Sequence, residues 1–102
     1  FPKGLRTNLQ FFKLLVLGRT RMFGCCMGIN RKLADLSLPF PRKLSTHDLW
    51  LGYLACIYGT VLLTSKVITH RRLHDFNVTT TRRNIFYIVA DRFYFIQKAL
   101  WR

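Results

Sequence analysis

A long uncharged stretch in the middle of the chain sets the first limit on its fold. Residues 49–65 read LWLGYLACIYGTVLLTS, 17 residues without a charged side chain, and the apolar run resumes at 67–69 beyond Lys66. Counted to its end the stretch has 21 residues, which as an α-helix is about 31 Å long and close to the roughly 30 Å hydrocarbon thickness of a bilayer. A helix in a protein core usually shows a polar stripe, whereas the polar groups here are hydroxyls, one thiol and Lys66. The sequence therefore predicts a transmembrane helix over 47–70.

The residues at both ends of this stretch suit a bilayer interface. Residues 45–48 read STHD, which fits a helix N-cap because a hydroxyl is followed three residues later by a carboxylate. Aromatic side chains concentrate at membrane interfaces, and the predicted interfacial aromatics are Trp50 and Tyr53. The predicted basic collar for lipid headgroups consists of Lys66, His70, Arg71, Arg72 and His74. Contact of Arg71 and Arg72 with an anionic phospholipid such as cardiolipin is a further prediction.

Small residues form one face of the predicted span. Gly52 and Cys56, and likewise Ala55 and Gly59, are four residues apart, so together they make a shallow groove on a helix. In lipid such a groove lets a second helix approach closely. These four residues are therefore the predicted helix-packing site.

The rest of the chain predicts an all-α protein with interfacial helices on both sides of the single span. Residues 1–30 form a basic amphipathic segment without an acid, similar to a mitochondrial presequence. Residues 31–46 contain two prolines that forbid a continuous helix, and they predict an extended strap. Residues 71–102 contain the end of the basic collar and an amphipathic helix whose uncharged runs are too short to span a membrane.

Composition excludes several functional classes. The 102 residues contain 17 lysines and arginines against 4 acids, a formal charge of +13, and half of the residues are hydrophobic. Such a chain suits anionic partners: phospholipid, acidic protein surfaces or nucleic acid. Three cysteines, two of them adjacent, do not form a disulfide framework. No motif supplies a nucleophile, a catalytic carboxylate pair or a metal cage, so we expect a protein that is not an enzyme and has no catalytic, cofactor or metal residues.

The stretch from Ala55–Cys56 to Phe76, with the basic exit HRRLHDF, resembles the membrane helix and exit of subunit f of mitochondrial ATP synthase. His70, Arg72, Leu73 and Phe76 occupy the positions of that family's pattern, within a resemblance that covers about residues 50–76. This likeness implies a non-catalytic subunit that braces the proton-translocating sector.

The sequence as a whole predicts a single-pass accessory subunit of a mitochondrial inner-membrane complex, with ATP synthase as the first candidate. Its expected partners are other membrane subunits and anionic phospholipid, without a small-molecule substrate. One alternative is a supernumerary subunit of a respiratory-chain complex. Another is a mitochondrial ribosomal protein, in which arginines neutralise rRNA phosphates and aromatics stack on bases. The uncharged stretch favours the membrane over rRNA.

Overall fold

A computed structural model of the protein describes residues 8–19, 22–70, 72–76 and 84–102, and within these ranges it contains helices and no strand. The α-helices in chain order are α1 (Asn8–Leu17), α2 (Arg31–Ser37), α3 (His47–Tyr58) and α4 (Ile85–Leu100). A short 3₁₀ helix (Gly24–Cys26) lies between α1 and α2.

Helix α3 is the centre of the packing, since it contacts α1, α2 and α4. Its residues Trp50, Tyr53 and Leu54 are fully buried. The Tyr53 ring packs edge-on against Phe12 of α1, with ring centroids 5.6 Å apart, and lies 5.9 Å from the Phe95 ring of α4. The remaining buried core residues are Phe11, Leu15 and Ala99. The first half of the uncharged stretch therefore lies at the centre of the protein's own core.

The predicted transmembrane helix over 47–70 is wrong, and with it the single-pass membrane architecture and localisation. Helix α3 begins at His47 as predicted but ends at Tyr58, after 12 residues. At 1.5 Å per residue it is about 18 Å long, well short of the roughly 30 Å that a span needs. Among the described residues no helix combines the length and apolarity required to cross a bilayer.

Two physical reasons explain why the uncharged stretch does not remain one helix. Glycine has low helix propensity, and Gly59 has an extended backbone that ends α3. Thr60 and Val61, which follow, are β-branched and also favour extended geometry. The helical part of the uncharged stretch, 49–58, has 10 residues. An apolar run of about 10–14 residues is more often a buried core helix than a span.

The C-terminal end of each α-helix accepts hydrogen bonds from a side chain outside that helix. The last carbonyls of a helix have no partner within it, so such bonds join one element to another. In α1 the Val16 carbonyl accepts from the Arg92 guanidinium. In α2 Leu36 and Ser37 accept from Arg102 at 2.8 and 3.1 Å. At the end of α3 the carbonyls of Cys56 and of Gly59, the residue that follows the helix, accept from Asn8. In α4 Ala99 accepts from the Tyr58 hydroxyl at 2.8 Å.

The segments on either side of α3 differ in part from the predicted layout. The predicted strap, 31–46, begins with helix α2, which the Asn30 side chain caps by accepting from the Leu33 amide at 2.9 Å. Residues 38–46 are then free of helix. The basic N-terminal segment contains α1, which ends at Gly18 in a left-handed conformation (φ 68°). Few residues other than glycine adopt this backbone conformation without strain.

Candidate membrane-contact surface

Helix α4 is fixed to the core by one face. Asn84 caps its start, accepting from the Phe86 amide at 3.2 Å. Phe95 and Ala99 are buried, and the Tyr58 hydroxyl of α3 bonds to the Ala99 carbonyl. Arg92 bonds from α4 to the end of α1. These contacts hold the helix in one orientation and leave its opposite face outward.

The outward face of α4 is apolar and carries no charge. Phe86, Val89, Phe93 and Leu100 are 78%, 60%, 76% and 63% exposed. Their spacing of three, four and seven residues places them on one side of a helix with 3.6 residues per turn. A shallow groove along this side is lined by Ile85, Phe86, Val89, Ala90, Phe93, Tyr94 and Gln97. We call Phe86, Val89, Phe93 and Leu100 the α4 face. A contiguous exposed apolar patch of this kind is typical of a contact surface for a membrane or a partner.

Aromatic residues with a polar atom lie near the α4 face. Tyr87 is 70% exposed and Trp101, directly after α4, is 84% exposed. The Lys98 ammonium lies 5.7 Å from the centre of the Tyr94 ring, within the range of a cation–π contact. Tyrosine, tryptophan and lysine side chains of this kind favour the boundary between acyl chains and headgroups.

The four predicted helix-packing residues contact α1 and other parts of this same chain. Gly52 is buried, and a Cβ there would lie 2.5 Å from Met22 Sδ and 3.3 Å from Leu15 Cδ1. The Cys56 and Gly59 carbonyls bond to Asn8 of α1. Gly52, Ala55 and Gly59 also line a cavity. The small residues thus allow close approach of a helix, α1, within the protein.

The structure does not bring the predicted interfacial residues together. Trp50 and Tyr53 are 0% exposed and lie in the protein core. Lys66, His70, Arg72 and His74 are exposed on a segment without regular structure, and Arg71 lies outside the described residues. The four described collar residues therefore do not share one face of a helix.

The titratable groups of the described residues offer little chemistry. No group of three His, Cys, Asp or Glu side chains in the described ranges is placed to hold a metal ion. The Cys25 and Cys26 sulfurs lie 3.8 Å apart and are exposed. Burial raises the pKa of the Cys56 thiol to about 11, because a low-dielectric environment disfavours the thiolate. This thiol is therefore a poor nucleophile at neutral pH.

The α4 face was not among the residues singled out from the sequence, although the signal was present. The heptad-like spacing of Phe86, Val89, Phe93 and Leu100 predicts an apolar stripe. Ile88 and Ile96 on the same helix are partly buried, so spacing alone does not say which of the apolar side chains face the core.

Comparison with protein-family models, with curated proteins and with solved structures finds no match for this chain.

Proposed function

We propose that the protein is a non-catalytic accessory subunit that attaches to the surface of an anionic bilayer, with helix α4 lying in the headgroup region. The observation that carries the proposal is the α4 face: four large apolar side chains, 60–78% exposed, on a helix that is anchored by its other side. Membership of ATP synthase, of a respiratory complex or of the mitochondrial ribosome stays a prediction.

Two contributions to binding act together. Burial of one Val, Leu or Phe side chain contributes about 1.5–3 kcal/mol in full, and a headgroup site supplies part of this. Attraction of basic residues to an anionic leaflet adds about 1 kcal/mol for each lysine or arginine near the surface. The formal charge of +13 therefore complements an anionic bilayer. Either contribution alone gives only weak, reversible attachment.

Flotation with lipid vesicles tests this proposal. We expect the protein to float with mixed phosphatidylcholine–phosphatidylserine vesicles and to remain at the bottom with pure phosphatidylcholine. Binding to the anionic vesicles should weaken between about 0.1 M and 1 M salt, since the screening length falls from about 10 Å to about 3 Å.

A pair of matched variants shows whether vesicle binding depends on the α4 face or on any exposed apolar side chain. Phe93→Ser removes a member of the α4 face and should weaken vesicle binding about tenfold or more. Phe76→Ser removes the same side chain, 91% exposed, from a site outside α4, and should leave binding unchanged. Equal binding by both variants, or equal loss in both, contradicts the proposal. Circular dichroism of each variant confirms that α4 is still folded.

A further inference from the structure

A second concave region lies apart from the α4 face. It is a partly open cavity of about 1170 Å³ between α3, the segment that follows α1 and residues 59–68. Its walls are mostly apolar and include Met22, Leu51 and Leu63. Ligand pockets usually measure about 300–1,000 Å³, so the cavity has room for a long, flexible ligand. None of its lining residues belongs to α4.

The charged residues that line the cavity are all basic. Arg19, Lys32 and Lys66 line it, and no aspartate or glutamate is among its described lining residues. All three cations are exposed, and none of them takes part in an ion pair with any residue that the structure describes. They come from three separate parts of the chain: the residues just after α1, the first turn of α2 and the segment after α3. Their positive charge is therefore available to an external anion.

We propose that this cavity binds an amphiphile with a single acyl chain and an anionic head group. The acyl chain lies against the apolar wall, where its removal from water supplies most of the binding free energy. The head group pairs with one or more of these three cations, because a carboxylate or phosphate forms charge-assisted hydrogen bonds with arginine and lysine. A carboxylate and a phosphate share this chemistry, and the choice between them is made by experiment.

Calorimetric titration with four probes, each below its micellar concentration or its solubility limit, tests the proposed chemistry. We expect laurate to bind and dodecanol, which has the same chain without the charge, to bind at least about tenfold more weakly. Hexanoate, which keeps the charge and loses six methylenes, should bind at least about 100-fold more weakly. Dodecyl phosphate in place of laurate shows which head group is preferred. Equal binding of laurate and dodecanol, or failure of both anionic probes to bind, overturns the proposal.

Charge-matched variants locate the head-group site. The triple variant Arg19→Gln, Lys32→Gln, Lys66→Gln should bind laurate at least about tenfold more weakly than the wild type. The control variant Lys13→Gln, Arg42→Gln, Lys43→Gln loses the same three charges from exposed positions outside the cavity and should bind laurate normally. Equal weakening in both variants means that only net charge matters and overturns the proposal.

A separate variant tests the apolar wall, and vesicle binding keeps the two proposed sites distinct. Ala55 lines the cavity, and Ala55→Phe should fill part of it and abolish laurate binding while vesicle flotation is retained. Phe93→Ser should behave in the opposite way, retaining laurate binding and weakening vesicle binding about tenfold or more. If Ala55→Phe fails to fold, the charge variants still decide the outcome. Undiminished laurate binding by folded Ala55→Phe contradicts the cavity as the site.

Discussion

The indole N–H of Trp50 and the guanidinium of Arg102 donate hydrogen bonds to the same acceptor, the Ser37 carbonyl oxygen, each over 3.1 Å. The guanidinium also lies 5.7 Å from the centre of the Trp50 ring. Because Ser37 is the last residue of α2, this arrangement ties together the end of α2, the core of α3 and the residues that follow α4. Arg102 and Trp50 thus stabilise a junction of three helices.

Arg102→Gln should lower the free energy of unfolding by about 1–2 kcal/mol. The variant loses charge-assisted bonds to the Leu36 and Ser37 carbonyls and the contact with the Trp50 ring. In a domain of this size each kcal/mol lowers the melting temperature by about 4–8 °C. The control is Arg42→Gln, an exposed position where the change should stay within about 0.5 kcal/mol. Equal melting temperatures for the two variants contradict a stabilising role of Arg102 at this junction.

Asn8→Ala should loosen the last turn of α3. Asn8 donates to the Cys56 and Gly59 carbonyls, and its Oδ1 accepts from the Val61 amide at 3.1 Å. Loss of this cap costs about 1 kcal/mol, and amide hydrogen exchange at Val61 should become about fivefold faster. Gln97→Ala, at an exposed site on α4, should leave that exchange rate unchanged. An unaltered rate at Val61 in Asn8→Ala shows that the cap is absent in solution.

Tyr53→Phe should maintain or raise stability. The Tyr53 hydroxyl is buried and has no hydrogen-bond partner among the described residues. A buried hydroxyl without a partner costs about 1–3 kcal/mol, whereas the ring keeps its contacts with Phe12 and Phe95. We expect the melting temperature to rise by several degrees. Tyr53→Ala, which removes the ring itself, should destabilise the fold by about 3–5 kcal/mol. A fall in the melting temperature of Tyr53→Phe means that the hydroxyl has a partner.

The Cys56 thiol should react slowly with alkylating reagents until the pH is strongly alkaline. With a pKa of about 11, only about 0.1% of Cys56 is thiolate at pH 8, so its alkylation should be at least about 50-fold slower than that of a cysteine with an ordinary pKa near 8.5. Mass spectrometry after iodoacetamide treatment measures the rate at each cysteine. Rapid alkylation of Cys56 in the folded protein at pH 8 contradicts its burial.

The same raised pKa fixes the sign of an alkaline effect on stability. Because the folded pKa of Cys56 is above the unfolded value, the thiol contributes stability that is fully present below about pH 9 and is lost as pH rises through about 11. Burial also raises the pKa of the Tyr53 phenol, against the opposing effect of the Arg92 charge. Both groups therefore weaken the fold in alkali. The Cys56→Ala variant should lose less stability than the wild type between these pH values.

Local signals in the sequence gave some boundaries of the fold. The STHD segment predicts the start of α3, which begins at His47. The predicted end of this helix at residue 70 is wrong because a uniformly apolar run has the same appearance in a core and in a bilayer. Which part of it is buried depends on α1 and α4, and neither helix is close to it in sequence.

The hydrogen bonds between helices and the cavity depend on contacts between residues that are distant in the sequence. Asn8 and Gly59, which bond at the end of α3, are 51 positions apart, and Arg92 and Val16 are 76 positions apart. No local pattern identifies such pairs. The same holds for the cavity, where Arg19, Lys32 and Lys66 become neighbours of one space only after α1, α2 and α3 have packed.

The depth of a spin label in anionic vesicles tests the mode of attachment most directly. Labels are introduced one at a time by Ala90→Cys and Leu62→Cys in a background where Cys25, Cys26 and Cys56 are alanine. Ala90 is exposed and lines the groove beside the α4 face, so its replacement keeps all four side chains of that face. The label at position 90 should lie about 5–10 Å inside the headgroup boundary, and the label at position 62, where Leu62 is 91% exposed, should stay accessible to a water-soluble relaxation agent. A label at position 62 in the middle of the bilayer, with position 90 exposed to water, would contradict attachment through α4.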